Sequence, residues 1–275
     1  MLRESSLSYV YTAFSPEKIS VYQHQRCPIV LSIATLRAFD KTSKVFVIDR
    51  TPENHDWLDF PKKLNFEVLT DVTSFNHLPP IQHRLADIKH LLHYFGRDIV
   101  FCDADVFWTA PYKPIIVEDK LSLVIQPRGD YEYVNSGFFY FRKGTAGHDI
   151  FEIWEETLMN WRNDPELVPF LTRFYGIESP SNIGDEGIMG YLINKVGMRD
   201  KVQNSDEPTL YGGSLEKPTC LAHLLSCLSS DKIGLAFRIV EIRSVLQSVL
   251  TPEDSGNFGE YNSLIKLSHL SRTSL

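Results

Sequence analysis

Two aspartates spaced by one residue, Asp103 and Asp105, close the apolar run Ile99 to Cys102, and a second apolar run, Val106 to Trp108, follows at once. Carboxylates avoid apolar surroundings unless their charge is compensated. A divalent cation is the compensator that fits, because hard cations take oxygen ligands. A cation held this way would in turn hold an anionic substrate such as a diphosphate. Residues i and i+2 of an extended strand point the same way, so a sharp turn after the strand lets both carboxylates reach one ion. The competing reading is a solvated Asp pair at a strand end, and the dense apolar flanks weigh against it.

Three further groups have types suited to chemistry. Asn135-Ser136-Gly137 interrupts the otherwise apolar stretch Tyr133 to Arg142. A glycine inside a strand marks either close approach by a ligand or a bulge, and Asn135 has the donors and acceptor to bind hydroxyls of a polar ligand. Asp185 and Glu186 open a helix after Gly184. The helix dipole favours acids there; equally, one of them aimed into a cleft would bind an acceptor hydroxyl or serve as general base. His223 stands beside apolar residues in Thr-Cys-Leu-Ala-His-Leu-Leu, with Lys232 downstream. It is either an ordinary core or surface histidine or a third ligand to the cation held by the aspartates, with Lys232 in reach of a bound phosphate.

The elements around these residues follow from hydrophobic periodicity. Ser8 to Phe14 reads as a first strand, stopped by Ser15-Pro16, and Pro28 to Phe39 as a helix with Ile29, Ile33, Leu36 and Phe39 on one side. Lys44 to Ile48 and Leu64 to Leu69 read as two more strands, the former ending at Asp49. His83 to Phe95 reads as an amphipathic helix stopped by Gly96, and the strand that delivers Asp103 follows it. Arg84, Asp87 and Lys89 lie on that helix, either contacting a nucleotide or diphosphate or forming its solvated face. Strands alternating with helices imply βαβ units and a mainly parallel sheet, with ligands bound beyond the carboxyl ends of its strands. That puts Asp49 and the Asp103/Asp105 pair on one rim.

Later come strands over Leu121 to Gln126 and Tyr133 to Arg142, and a helix over Ile150 to Trp161. Residues 163–183 read as a long loop or short helices. Helices over Gly184 to Val196 and Ile233 to Leu250 follow, the last with Ile239, Ile242, Leu246 and Val249 in register. Residues 1–250 thus read as one catalytic domain and 251–275 as a polar, Ser-rich tail.

The 275 residues are 43% hydrophobic and 23% charged, ordinary for a globular chain, with a net charge of −7 that argues against a general nucleic-acid binder. No segment is long and apolar enough to span a bilayer. The four cysteines form no Cys-x-x-Cys pair, and Cys102 reads as a small core residue. With no Asn-x-Ser/Thr acceptor either, the expected setting is cytoplasmic; the soluble catalytic part of a membrane-anchored secretory-pathway enzyme would look alike.

Taken together these residues resemble the nucleotide-diphospho-sugar transferases of the A-type glycosyltransferase fold, nearest the glycogenin-like and related Asp-x-Asp families. The ordered signature is Arg84 with Lys89, Asp103-Ala104-Asp105, Asn135-Ser136-Gly137-Phe138, Asp185-Glu186 and His223, over residues 8–232. The resemblance implies an α/β, Rossmann-like fold with a mixed central sheet, a nucleotide-sugar donor (a UDP-sugar) and Mn2+ or Mg2+. It implies that Asp103 lies near the ribose and metal, and that Asp105, with His223, ligates the metal. Asn135 would contact the donor sugar, and Thr12, Ala13 and Phe14 would cradle the base with Asp49 near it. Ala104, Ser136, Arg84, Lys89 and Lys232 complete the implied donor-binding set. The family's late His-x-x-Gly-x-x-Lys-Pro-Trp segment is not matched, since Leu-Leu-Ser-Cys-Leu-Ser-Ser-Asp-Lys follows His223. The acceptor is a glycan, a protein or a small molecule. Two rivals share parts of the pattern: a haloacid-dehalogenase-like phosphatase with Asp103 as nucleophile, and a non-catalytic sugar- or nucleotide-binding module.

Overall fold

The structure is a computed structural model, and it describes residues 7–14, 26–50, 61–70, 98–104, 106–112, 120–141, 147–177, 184–205, 221–223 and 236–254. In chain order the main elements are β1 (Leu7–Phe14), α1 (Arg26–Phe39), β2 (Lys44–Arg50), β3 (Glu67–Leu69), β4 (Asp98–Cys102), β5 (Val106–Trp108), β6 (Leu121–Arg128) and β7 (Tyr131–Phe141). They continue with α2 (Gly147–Met159), α3 (Leu167–Tyr175), α4 (Asp185–Asn194), β8 (Val202–Asn204), β9 (Leu221–His223) and α5 (Ala236–Val249). The expected helix over His83 to Phe95, with Arg84 and Lys89, lies outside the described residues, as does Lys232.

The chain divides into two compact units. One comprises Tyr9–Thr70, Cys102–Lys113 and Pro208–Leu275. Its strands run in the order β3-β2-β1, with β2 and β3 parallel. The third strand is shorter than its apolar pattern promised: Lys62–Leu64 forms a 3-10 turn, and Asn65 turns the chain with φ 46° before β3 begins at Glu67. Helix α1 packs against α5, β5 and that turn. Such surroundings leave no solvent face in its middle, and Ile29 through Arg37 are all buried. The amphipathic reading of this helix therefore understated its burial.

Arg37 shows how a cation survives in that position. Its guanidinium donates to Leu64 O at 2.7 Å, Asp40 O at 3.1 Å, Ser43 O at 2.8 Å and Asn65 O at 2.6 Å. A planar fork of five donors meets four carbonyls here, so burial is compensated by bonds that tie the end of α1 to two turns. Asp40 in turn accepts from Thr42 N at 3.1 Å and Ser43 N at 2.9 Å. Burial acts to raise its pKa, but the Ser43 and Thr42 donors and the Arg37 charge outweigh that and hold it below the usual carboxylate value. A lowered folded-state pKa stabilises the fold above the unfolded value of about 3.9, and that contribution is lost as pH falls through the folded value. Asp40→Asn is accordingly expected to lower Tm at neutral pH, with the gap to wild type closing in melts run below about pH 4. A gap independent of pH would refute this.

On α5 Ile242 and Leu246 are buried, as is Leu250 just past its end, at i, i+4 and i+8, while Val249 is only half-buried. The final turn, 252–254, is docked by Asp254, which meets Lys63 Nζ at 2.7 Å and accepts from Thr251 N at 2.6 Å.

The other unit comprises Met1–Ser8, Asp71–Phe101 and Pro114–Glu207. Its strand order is β4-β7-β6-β8, with β6 antiparallel to β7 and parallel to β8, so the expected mixed sheet is present. Helices α2, α3 and α4 pack on one another or on β7. Aromatic side chains fill this core: Phe139 lies 6.3 Å from Phe101 and 6.0 Å from Trp154, and Phe151 5.6 Å from Trp154. Cys102, at the end of β4 and the first residue of the 102–113 stretch of the first unit, is fully buried as expected. The segment expected to be loop or short helices contains α3, closed by Gly176 at φ 65°.

Candidate functional site

The first cluster stands where β4 ends. Asp103 and Ala104 are half-buried in a turn that Val106 N closes by donating to Asp103 O at 3.2 Å. Asp105 lies outside the described residues. The chain then re-enters regular structure at once as β5, which pairs antiparallel with β9 in a separate two-stranded sheet. The register sets Val106 opposite His223, Phe107 opposite Ala222 and Trp108 opposite Leu221. Residue 223, distant in sequence, thus comes level with the residue that follows Asp105. The His223 side chain is outside the described set, and among the described side chains no group of three potential metal ligands gathers.

Strand β5 is fixed from beneath by buried hydroxyls. Ser32 Oγ meets both Val106 O and, at 2.9 Å, Tyr11 Oη. The carbonyl can only accept, so the Ser32 proton goes to it and the Tyr11 hydroxyl donates to Ser32. Trp108 Nε1 donates to Tyr11 Oη at 3.3 Å, and Trp108 N donates to Thr35 Oγ1 at 3.0 Å. Burial pushes the Tyr11 phenol well up, which keeps it a donor. Tyr9 packs edge-on to Trp108 with centroids 5.2 Å apart. This network ties β5 to β1 and α1. Sequence reasoning passed over Ser32, Thr35 and Tyr11, because their partners are distant in the chain.

On the same unit, Thr12 and Ala13 are buried near the carboxyl end of β1 and Asp49 is half-buried near that of β2. The Phe14 side chain is not among those described. Thr12 Oγ1 is buried without a hydrogen-bond partner among the described residues. An unsatisfied buried hydroxyl costs about 1–3 kcal/mol, so a ligand that accepts from it or donates to it would recover that loss.

The second cluster is on the other unit. Between Leu123/Phe139 and Val124/Asn135 the β6–β7 register slips, β7 advancing four residues where β6 advances one. The interruption read from the sequence is therefore a bulge, and it presents Ser136 to helix α4. Asn135 is buried, and its Oδ1 accepts from Gly137 N at 2.7 Å. Ser136 Oγ donates to Asp185 Oδ1 at 2.9 Å, and Ser136 N donates to Glu186 Oε1 at 3.2 Å. Tyr133 Oη donates to Glu186 Oε2 at 2.9 Å. The far end of α4 is also tied to β7: Asn194 Nδ2 donates to Glu132 O at 2.8 Å, and Glu132 N donates to Asn194 Oδ1 at 2.9 Å. Both helix ends are thus pinned to one strand, and three of the residues singled out in sequence, Ser136, Asp185 and Glu186, come together, with Asn135 adjacent on β7.

No family model matches the sequence, and no curated protein matches it. Solved structures do match. The galactosyltransferase LgtC, in complex with donor and acceptor sugar analogs, superposes with a TM-score of 0.58 at 13% identity, covering 91% of this chain and 99% of that one. An active-site mutant of LgtC gives 0.54 at 12% identity, covering 89% and 96%. The apo-form glycosyltransferase GlyE of Streptococcus pneumoniae TIGR4 gives 0.52 at 13% identity, covering 95% of this chain but only 64% of its own. The fold is that of the A-type glycosyltransferases, as the resemblance implied.

Proposed function

We propose that this protein is a metal-dependent glycosyltransferase that moves a sugar from a nucleotide-sugar, a UDP-sugar, to a hydroxyl of a glycan, protein or small-molecule acceptor. The observation that carries the reading is the β5–β9 register, which brings residue 223 level with the end of the Asp-x-Asp turn in an A-type glycosyltransferase fold. LgtC, with the same fold, is a galactosyltransferase that binds donor and acceptor sugar analogs, and GlyE is a glycosyltransferase. The haloacid-dehalogenase-like alternative gains nothing from this fold.

Asp103, Asp105 and His223 are the residues that would hold the ion. Two carboxylates and an imidazole form a mixed oxygen and nitrogen set that Mn2+ accepts, and Mg2+ suits its carboxylate part. A bound divalent ion would supply charge stabilisation for the departing nucleoside diphosphate. The chain's own residues do the rest. The Ser32–Thr35–Tyr11 network holds β5, the strand that follows the Asp-x-Asp pair, and a carboxylate pair carried on a fixed frame needs little reorganisation when charge develops. Thr12, Ala13, Phe14 and Asp49 receive the base, with the Thr12 hydroxyl available to it. Asn135, fixed by its own bulge, offers its amide nitrogen to hydroxyls of the donor sugar. Arg84, Lys89 and Lys232 would contribute positive charge to the diphosphate. Asp185 and Glu186 are the candidates for the acceptor role, in which a carboxylate binds the attacking hydroxyl or takes its proton.

Thermal melts with UDP-, GDP- and dTDP-sugars, each with and without Mn2+, test this. A ligand at 100 times its Kd that binds only the native state adds about 2.7 kcal/mol. The expected result is a rise in Tm of several degrees with a UDP-sugar and Mn2+ together, and little with either alone. Melts indifferent to every nucleotide-sugar, metal present or absent, would sink the proposal.

A further inference from the structure

We infer that Tyr133, supported by Tyr175, is a positioning residue that holds the Glu186 carboxylate in its working orientation; this rests on the acceptor-side role proposed for Glu186. The geometry points there step by step. Glu186 is the second residue of α4 and half-buried, so its side chain has a choice of rotamers that the helix alone does not fix. Two donors from β7 remove the choice. Ser136 N takes Oε1 at 3.2 Å and Tyr133 Oη takes Oε2 at 2.9 Å. One oxygen is bound by backbone inside the bulge, and the other by a phenol that a point mutation can remove.

Tyr133 is itself clamped. Tyr175 stacks on its ring with centroids 5.2 Å apart and planes at 23°, and the Arg128 guanidinium lies 3.8 Å from the ring centroid. Tyr175 is anchored in turn, since Val134 N donates to its Oη at 3.2 Å. The phenol thus stands on a support built from three elements, β6, β7 and α3. Burial and the adjacent Glu186 charge keep the Tyr133 phenol protonated, as a donor must be. Tyr133 also shares a strand face with Asn135, at the i, i+2 spacing. Loss of its hydroxyl would leave the helix docked, through Ser136–Asp185 and Asn194–Glu132, while removing one of the donors that orient the Glu186 carboxylate.

Tyr133→Phe tests the inference, because it keeps the ring, its stacking and the cation–π contact and deletes only the donor. With Mn2+ and the UDP-sugar that stabilises the protein, transfer by Tyr133→Phe is expected to show kcat lower by about tenfold, less than the roughly 100-fold cost of a 1 Å misplacement. The donor KM and Tm are expected to be unchanged. In a Glu186→Gln background the same substitution should change kcat no further, because the residue it positions is already altered. A merely structural role would instead lower Tm and leave the two effects multiplicative. Wild-type kcat in Tyr133→Phe, or independent effects in the double variant, would overturn the inference while leaving the transferase reading intact. A wild-type protein that transfers no sugar from any of the three nucleotide-sugars would overturn both.

Discussion

Asp105→Asn is expected to abolish metal-dependent donor binding and to lower transfer kcat/KM by about 10³-fold or more, since a metal clamp on a leaving diphosphate supplies several kcal/mol and each 1.36 kcal/mol is a factor of ten. Asparagine keeps one oxygen of similar shape and loses the negative charge, so the variant isolates charge from size. Strand β5 is held by Ser32, Thr35 and its pairing with β9, and the substitution leaves those bonds in place. The folded state should therefore persist, with an unchanged Tm in the absence of ligand. Two measurements check the claim together. Melts with UDP-sugar should lack the Mn2+-dependent rise expected of wild type, and transfer assays should not recover when Mn2+ is raised. Full transfer at ordinary metal concentration would remove Asp105 from the ligand set.

How much of this was legible in the sequence depended on distance along the chain. Asp103-Ala104-Asp105 was visible because an apolar run on each side made two charges conspicuous within ten residues. Asn135-Ser136-Gly137 was visible as an interruption, but ligand site and bulge had the same signature. The slipped register shows the bulge, and a bulge aimed at a helix is also how a site is built. Strands β5, β8 and β9, of three residues each, are too short for a period of two to declare itself. The pairing of residues 106 and 223 was consequently hidden, although His223 had been singled out. Long-range polar partners were hidden for another reason. Ser32, Thr35, Tyr11, Tyr175 and Asn194 acquire meaning only through residues twenty or more positions away. Tyr133 was the exception within reach, because its spacing from Asn135 already put the two on one strand face.

Gly190→Ala carries the largest expected effect on stability, and its sign runs against helix propensity. Gly190 lies inside α4, where alanine ordinarily stabilises by about 1 kcal/mol. Here an added Cβ would lie 1.9 Å from Tyr175 Oη, 2.6 Å from its Cζ and 2.8 Å from its Cε2. Tyr175 cannot yield freely, because its ring is stacked on Tyr133 and its oxygen accepts from Val134 N. If the ring swings away, a backbone N–H loses its partner, at a cost of about 1–3 kcal/mol, and an aromatic pair worth about 0.5–1.5 kcal/mol is broken. If the ring stays, α4 must lift from β7, which strains the Ser136–Asp185 and Glu132–Asn194 bonds at its two ends. Either route outweighs the propensity gain, so a net loss of about 2 kcal/mol is expected, read as a fall in Tm of several degrees. Transfer should fall as well, since Tyr175 supports the phenol that holds Glu186. The decisive comparison removes the obstacle: in a Tyr175→Ala background the clash is gone, and Gly190→Ala should become neutral or stabilising by up to about 1 kcal/mol. A Gly190→Ala protein that melts no lower than wild type, or one whose loss persists without the Tyr175 ring, would show that the packing of Tyr175 against α4 does not set this cost.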